Sequence, residues 1–211
     1  MHLLRHGEVH NPERVVYGAL PGFFLSARGQ AQAEAAGVEL ARRLRGSVAV
    51  VASPLDRARQ TQAIVVDALM ARAITPRVLA PDPRLGEART FAEGLPRKFS
   101  PRRYWARLRE AGVISRGESP REIARRMFEA ILSAVDAGGY DELVVVSHQF
   151  PIHMAKSAFV AAFDSGPRAT LADLAPWALV RGSCELASIT TVTVTKGAPI
   201  GISYWAPSER R

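Results

Sequence analysis

The chain has 211 residues, 47% of them hydrophobic, which is enough to form one domain with a substantial core. Its only cysteine, Cys184, excludes an internal disulfide and a cysteine-based metal cluster, and the lack of a long apolar run or a signal-type N-terminus predicts a cytoplasmic protein without a membrane segment. The formal net charge of +8 is compatible with a polyanionic partner. All except three of the 28 basic residues are arginines, and the sequence contains no nucleic-acid-binding motif, so no nucleic-acid partner is expected.

The first predicted element is a short apolar strand that ends in Leu4-Arg5-His6-Gly7 and opens into a loop. In open α/β sheets, ligands bind in the crevice beyond the carboxyl ends of the strands, so Arg5 and His6 are expected to project into such a crevice. Gly7 allows the backbone to approach a bound anion closely. An isolated histidine is more often a packed residue than a catalyst, and the interpretation of His6 therefore depends on partners further along the chain.

A helical pattern over residues 27–45 and a valine-rich strand over residues 48–52 follow. The apolar face of that helix is predicted to carry Ala31, Ala35, Val38 and Leu44. Ser53 and Pro54 then predict a helix start, with serine as the N-cap and proline at the first helical position. Free backbone N–H groups and the dipole at such a start favour a nearby anion, and Arg57 is expected about one turn into the same helix.

Residues 90–116 interrupt the alternation of strands and helices with a mixture of glycine, proline, arginine and aromatic residues. We interpret this segment as an excursion over the functional site. Its densest cluster of positive charge consists of Arg97, Lys98, Arg102 and Arg103. These side chains favour a substrate with a second anionic group, although they could equally face solvent.

A second half of the fold is predicted after this segment. Ser119 and Glu122 form the pattern of a capping box in front of a helix over residues 120–135. A valine-rich run over residues 143–147 predicts a buried parallel strand, and His148 follows it directly.

The C-terminal part predicts two strands, over residues 187–195 and 200–205, that form a hairpin. The alternation of strands and helices before it indicates the α/β class, with a three-layer α/β/α sandwich, a mostly parallel central sheet and an antiparallel edge strand. Residues 1–211 are expected to form a single domain.

Phosphoryl transfer without a metal requires a nucleophile, cations that neutralise the phosphate oxygens, and an acid that protonates the leaving oxygen. The chain offers all three residue types, and Arg5-His6-Gly7 resembles the signature of the histidine phosphatase superfamily, which includes phosphoglycerate mutases and broad-specificity phosphatases. The similarity continues through Asn11, a block at residues 25–33, a second block at residues 53–61, and His148.

The resemblance implies that His6 attacks phosphorus to form a phosphohistidine, that an acid protonates the departing oxygen, and that water then hydrolyses the intermediate. Arg5, Arg57 and His148 would stabilise the phosphoryl group. The full set of predicted substrate-binding residues is Arg5, Asn11, Arg57, His148, Gln149, Arg102 and Arg103.

Two glutamates could supply the acid. The family pattern places a glutamate two positions after a leucine, which favours Glu87, after Leu85, over Glu93. Thr90 and Gln149 stand where members of the family commonly have glycine.

Other hydrolase classes fit the sequence less well. The five histidines do not form an H-E-x-x-H or similar metal pattern, no arginine-capped loop follows Cys184, and no P-loop motif is present. We therefore expect a metal-independent phosphoric monoester hydrolase that uses no cofactor and acts on a small phosphorylated metabolite. A phosphoglycerate-type mutase and a weakly active or non-catalytic phospholigand-binding protein remain open alternatives, as does a dimer.

Overall fold

The computed structural model describes residues 1–90, 92–96, 118–165, 184–195 and 198–207. In this part of the chain the strands are β1 (His2–Arg5), β2 (Val48–Ala52), β3 (Arg77–Val78), β4 (Glu142–Ser147), β5 (Ile189–Thr195) and β6 (Ala198–Trp205). The helices are α1 (Ala27–Arg43), α2 (Asp56–Met70), α3 (Pro120–Asp136) and α4 (Gln149–Ser165), and a short 3-10 helix spans Pro83–Leu85.

The strands form one six-stranded sheet in the order β3-β2-β4-β1-β5-β6. The first four strands in that order are parallel to one another, whereas β5 pairs antiparallel with β1 and β6 pairs antiparallel with β5. The predicted mostly parallel α/β sheet is thereby confirmed, with a C-terminal hairpin that supplies two antiparallel strands at one edge. The two-residue strand β3 at the other edge is too short to show a periodic pattern in the sequence.

Side chains that alternate along the central strands fill cores on both faces of the sheet. Leu3 and Val145 pack in one core with Met127 of α3, and Leu4 packs in the other with Leu40 of α1. Burying a side chain of this size contributes roughly 1.5–3 kcal/mol, so the two cores hold β1 and β4 firmly at the centre of the sheet. The helices therefore cover both faces, which is the predicted three-layer α/β/α arrangement.

Helix α1 is rotated relative to its predicted orientation. Ser26 caps it by accepting a hydrogen bond from the N–H of Gly29. Its buried face consists of Gly29, Ala33, Ala36, Gly37 and Leu40, whereas Ala31 is exposed and Ala35 and Val38 are only half-buried. The physical reason is the contact with α2, where a Cβ on Gly37 would lie 2.6 Å from the Cβ of Ala68. A face with glycine at position 37 allows this close approach.

The start of α2 also differs from the prediction. The helix begins at Asp56, its N-cap is Leu55, and no side chain caps it, so Ser53 is not the N-cap. Arg57 is consequently the second residue of the helix rather than one turn inside it. The capping box of α3 is as predicted, since Ser119 accepts from the N–H of Glu122 and Glu122 accepts from the N–H of Ser119.

The beginning of the predicted excursion is anchored to the loop that follows β1. The N–H of Val16 donates to Leu95 over 2.7 Å, and the N–H of Gly94 donates back to Val16 over 2.8 Å. The basic cluster at 97–103, including Arg102 and Arg103, lies outside the described residues. None of the helices in the described ranges is long and apolar enough to cross a membrane.

Candidate active site

His6 lies directly after β1, at the carboxyl end of the parallel strands, and only 1% of it is exposed. Its Nδ1 lies 2.7 Å from the carbonyl oxygen of Gly7. Because a carbonyl can only accept, Nδ1 carries the proton and Nε2 keeps its lone pair. Burial, followed by the charges of Arg57 and Arg5, lowers the pKa of His6 well below its usual range. The ring is therefore neutral at neutral pH and presents a nucleophilic nitrogen.

The loop behind His6 is held by backbone contacts that only glycine allows. A Cβ on Gly7 would lie 2.3 Å from the carbonyl oxygen of Gly29 in the first turn of α1. The N–H of Gly7 donates to the hydroxyl of Thr61 over 3.2 Å, and that hydroxyl donates to the carbonyl of Arg57 over 2.8 Å. The His6 loop, α1 and α2 are thus connected at this point.

His148 faces His6 because their strands are neighbours in the sheet. Arg5 is paired with Ser147 in the parallel register of β1 and β4, so the next residue of each strand emerges at the same edge. The two imidazole ring centroids are 5.1 Å apart. Nε2 of His148 lies 2.8 Å from the hydroxyl of Ser53, and burial lowers the pKa of His148 well below its usual range.

Two arginines flank the histidine pair. Arg5 donates to the carbonyl of Cys184 over 2.6 Å. Arg57 is fully buried and donates to the carbonyls of Gly18 and Leu20 in the loop after β1, over 2.5 and 3.3 Å. Its guanidinium also lies 4.9 Å from the ring centroid of Tyr17. Burial lowers the pKa of Arg57, but the guanidinium stays protonated because its ordinary pKa is so high.

Three buried nitrogen atoms around His6 have no hydrogen-bond partner among the described residues. They are Nε of Arg5, Nε of Arg57 and Nδ1 of His148. Nor does Arg57 form an ion pair within the described ranges, although a fully buried cation is unfavourable without a compensating anion. The arrangement is suited to an anion with several acceptor oxygens, held next to Nε2 of His6.

Glu87 is half-buried and follows the 3-10 helix. Its carboxylate accepts from the N–H of Ala88 over 2.9 Å. Burial raises the pKa of Glu87, against the opposing effects of the Ala88 N–H and of Arg57 and Arg5. A carboxyl with a raised pKa near two arginines is a suitable proton donor for a leaving oxygen.

The segment that carries Glu87 is supported from below. Ser147, at the end of β4, donates to the carbonyl of Leu85 over 2.7 Å. Arg126 of α3 donates to the carbonyls of Arg84 and Gly86, the latter over 2.7 Å, and forms an ion pair with Glu118. Glu87 is thereby fixed relative to the end of the sheet.

Glu93 has a different environment. It accepts from the N–H of Ala19 over 2.8 Å and from the N–H of Thr90 over 3.2 Å. Its carboxylate therefore holds the loop whose carbonyl oxygens accept hydrogen bonds from Arg57. The choice of Glu87 over Glu93 as the acid stays a prediction.

The remaining predicted site residues occupy varied positions. Asn11 uses its side chain to bond the backbone of Val15, donating over 2.8 Å and accepting over 3.1 Å, so one amide N–H is left for a ligand. Gln149 is the exposed first residue of α4. Arg102 and Arg103 lie outside the described residues. The roles of these residues in substrate binding stay predictions.

A cavity of about 770 Å³ shares Arg5 and Tyr17 with the surroundings of His6, although neither His6 nor His148 lines it. Arg5 and Tyr17 belong both to its lining and to the surroundings of His6, since the rings of Tyr17 and His6 are 6.4 Å apart. The rest of the lining comes mainly from the loop after β1, the first turns of α1 and residues 185–186. Cavities of this size commonly hold small ligands.

Sequence reasoning overlooked several residues that organise the site. Ser53 and Thr61 lie within residues 53–61, the second block that resembles the family. Their hydroxyl groups are the feature of the sequence that could have indicated a role in the site. Tyr17 and Arg126 lie in no motif, and their contacts arise only from the folded chain. Across the described ranges, no group of three or more histidine, cysteine, aspartate or glutamate residues is arranged to hold a metal ion.

This chain is similar to known proteins over nearly its whole length. The sequence profile of the histidine phosphatase superfamily (branch 1) matches residues 1–199. The chain is 36% identical over 216 aligned residues to the uncharacterized protein Rv0525 of Mycobacterium tuberculosis, covering 99% of this chain and 96% of that protein.

Two further matches carry functional names. The "probable phosphoglycerate mutase GpmB" of Yersinia enterocolitica is 31% identical over 148 residues, which cover 69% of this chain and 67% of that protein. The solved structure of the mycobacterial glucosyl-3-phosphoglycerate phosphatase Rv2419c with inorganic phosphate is 25% identical, has a TM-score of 0.64, and covers 99% of this chain and 95% of that chain.

Proposed function

We propose that this chain, which belongs to the histidine phosphatase superfamily (branch 1), is a metal-independent phosphatase that hydrolyses a phosphomonoester through a phosphohistidine on His6. The observation that supports this activity most directly is the position of His6. A neutral imidazole with its proton held on Nδ1 lies among three buried nitrogen atoms that lack partners in the described residues. Such a site combines a nucleophile with donors for phosphoryl oxygens.

In the first step, Nε2 of His6 attacks phosphorus and the bond between phosphorus and the ester oxygen breaks. The electron pair of that bond goes to the departing oxygen, which takes a proton from the carboxyl of Glu87. The hydrogen bond from Nδ1 to the Gly7 carbonyl stabilises the positive ring that results. A general acid in this position contributes roughly 10²–10⁴-fold to the rate.

Arg5, Arg57 and His148 stabilise the charge on the transferring group. The hydroxyl of Ser53 accepts from the N–H of Leu55 over 3.3 Å and can donate its own proton to Nε2 of His148. In that arrangement Nδ1 of His148 carries a proton and donates to a phosphoryl oxygen. A bound phosphate dianion also opposes the effect of burial on the pKa of His148, because an adjacent negative charge favours the protonated ring.

In the second step, a water molecule attacks the phosphohistidine. The Glu87 carboxylate formed in the first step accepts a proton from this water, the bond between phosphorus and Nε2 breaks, and inorganic phosphate leaves. His6 returns to the neutral form with its proton on Nδ1, and Glu87 is again protonated. The cycle consumes one ester and one water and needs no metal.

The proposed substrate is a small phosphorylated metabolite with a second anionic group. The volume of the cavity that Arg5 and Tyr17 line, about 770 Å³, suits a molecule of this size. The leaving group would occupy this cavity because Arg5 and Tyr17 connect it to the phosphate position.

A second candidate function is a phosphoglycerate-type mutase, and the 31% identity to the probable mutase of Yersinia enterocolitica supports it. In a mutase the phosphohistidine returns its phosphoryl group to the bound intermediate before water can enter. Incubation with 3-phosphoglycerate separates the two activities. A phosphatase releases inorganic phosphate, whereas a mutase produces 2-phosphoglycerate with little phosphate release.

The proposed function is tested by measuring phosphate release from a panel of phosphomonoesters in the presence of a chelator. We expect activity to survive chelation and to be lost in His6→Ala. The control is Arg42→Ala, which removes an exposed arginine in the last turn of α1 and should keep most of the activity. A fully active His6→Ala enzyme, or inactivation by the chelator, would contradict the proposal.

A further inference from the structure

The loop between β1 and α1 contains an arginine whose backbone has the left-handed conformation. Arg14 has a φ of +52°, in the left-handed region that residues with a Cβ rarely adopt. The conformation is maintained by Asn11, whose carbonyl accepts from the N–H of Arg14 and whose side chain bonds both backbone groups of Val15. Glycine or asparagine would adopt this backbone more easily, so arginine here is costly for the fold.

Arg14 is exposed and lines the cavity that Arg5 and Tyr17 also line. Its guanidinium makes no hydrogen bond or ion pair within the described part of the chain. The other cation on this part of the lining, Arg28, is paired with Glu8 at 3.6 Å. Arg14 is thus an uncompensated cation in a cavity that also contains Arg5 of the proposed phosphate site.

The lining of the cavity contains more arginines than carboxylates. Three arginines, Arg5, Arg14 and Arg28, line it together with two carboxylates, Glu8 and Glu185. When the phosphoryl group binds Arg5 and Glu8 remains paired with Arg28, Arg14 is the guanidinium left for the leaving group. A guanidinium presents a planar pair of donors that fits a carboxylate or a phosphate.

We infer that Arg14 is a specificity-determining residue that binds a second anionic group on the leaving group of the substrate. This inference rests on the proposed phosphatase function and assigns the second anion to the part of the cavity wall that contains Asn11, Pro12 and Arg14. The ligand class is a phosphomonoester whose alcohol carries a carboxylate or another phosphate. Esters of neutral alcohols would bind through the phosphoryl group alone.

Two matched pairs of substrates test the inference. Glycerol 3-phosphate and 3-phosphoglycerate differ by a carboxylate, and fructose 1-phosphate and fructose 1,6-bisphosphate differ by a second phosphate. We expect wild type to prefer the more anionic member of at least one pair by about tenfold or more in kcat/KM, as for a charge-assisted hydrogen bond. Arg14→Ala should remove this preference mainly through KM and leave the neutral member within about twofold. The pair that responds identifies the anion.

Three further variants separate recognition from structure. Arg14→Lys should keep part of the preference because the charge remains. Arg14→Asn should abolish the preference while its thermal midpoint stays equal to wild type or rises, since asparagine tolerates the left-handed backbone. Arg42→Ala removes an exposed arginine at the far end of α1 and should leave the preference unchanged. A preference that survives Arg14→Ala, or an equal loss with both members of each pair, would overturn the inference.

Binding measurements distinguish failure of this inference from failure of the proposed function. Calorimetry with phosphonate analogues of the same pairs requires no turnover. An Arg14-dependent preference in binding without hydrolysis would retain the inference and reject the phosphatase activity. Hydrolysis without any preference between the members of either pair would reject the inference alone.

Discussion

The tautomer that the proposed nucleophile His6 needs is set by its own neighbour in the chain. The Gly7 carbonyl 2.7 Å from Nδ1 selects the tautomer, and burial beside two arginines keeps the ring neutral. A carbonyl is a suitable partner because it cannot take the proton away from Nδ1. In the proposed mechanism, the same arginines that lower the pKa of His6 also bind the phosphoryl oxygens, so nucleophile activation and charge stabilisation would depend on the same side chains.

Changing Glu87 to glutamine should reveal its role through the leaving group. Glu87→Gln retains the size of the side chain but cannot donate a proton as an acid. We expect hydrolysis of alkyl phosphates to slow by about 10²–10⁴-fold, and p-nitrophenyl phosphate to slow much less because its leaving group needs little protonation. Glu93→Gln is the control and should stay close to wild type, since an amide oxygen can still accept from Ala19 and Thr90. Equal slowing of both ester types by Glu87→Gln would reject the assignment.

The pH dependence of kcat/KM follows from the directions of two pKa shifts. Glu87 must be protonated in the first step, so activity on alkyl phosphates falls as pH rises through its raised pKa. His6 must be neutral, and its lowered pKa predicts that activity persists below pH 6.5 before it falls at more acidic pH. Glu87→Gln should remove the alkaline decline that belongs to the enzyme, whereas titration of the substrate phosphate affects both enzymes equally. An unchanged alkaline decline in the variant would disagree with this prediction.

Helix α3 contributes to the site without touching the proposed phosphate position. Arg126→Ala removes a donor to two carbonyls of the Glu87 segment and leaves Glu118 without its partner. We expect the free energy of unfolding to fall by roughly 2–3 kcal/mol. Alkyl phosphate hydrolysis should slow about tenfold more than p-nitrophenyl phosphate hydrolysis, because Glu87 loses its position.

The neighbouring Arg125→Ala is the control for this experiment. Arg125 has an exposed side chain and contacts Glu129 at 3.7 Å, so its removal should change stability by about 0.5 kcal/mol or less. Urea denaturation and paired kinetics on both variants provide the measurement. Loss of stability without a change in leaving-group dependence would show that Arg126 supports the fold and not Glu87.

The contact between the His6 loop and α1 should tolerate no side chain at Gly29. A Cβ there would lie 2.0 Å from the carbonyl oxygen of Glu8, which is backbone and cannot rotate away. Gly29→Ala is therefore expected to lower the free energy of unfolding by roughly 2–3 kcal/mol and to reduce activity by displacing the loop. Gly201→Ala, where a Cβ would have no atom within 4 Å, is the control and should be nearly neutral. Similar stabilities of the two variants in urea denaturation would contradict the prediction.

The sequence predicts the position of strands buried on both faces better than the orientation of a helix buried on one face. The valine runs of β2 and β4 are buried on both faces, and their position follows directly from composition. Helix α1 is rich in alanine around its whole circumference, so periodicity leaves its orientation ambiguous and the glycine contact with α2 decides it. At the start of α2, a serine followed by proline predicts that Ser53 is the N-cap. The hydroxyl of Ser53 instead forms a hydrogen bond with His148, the residue that follows β4.

At the scale of the whole molecule, the topology explains why part of the site could be found from sequence alone. Neighbouring parallel strands place residues after their carboxyl ends together, so His6 and His148 follow from strand order. Tyr17, Arg126 and the cavity position of Arg14 depend on how the long loop after β1 and helix α3 pack, and no local pattern encodes such contacts. The engagement of Asn11 with Val15 is also a property of loop conformation rather than of residue type.

The most direct test of the phosphohistidine mechanism is a covalent trap. The enzyme is mixed with a ³²P-labelled phosphomonoester, quenched in alkali within milliseconds to seconds, and digested for peptide mapping. We predict a label that is stable in base, labile in acid, located on the peptide containing His6 and absent from His6→Ala. A label on another residue, or rapid phosphate release by His6→Ala at the wild-type rate, would contradict the account.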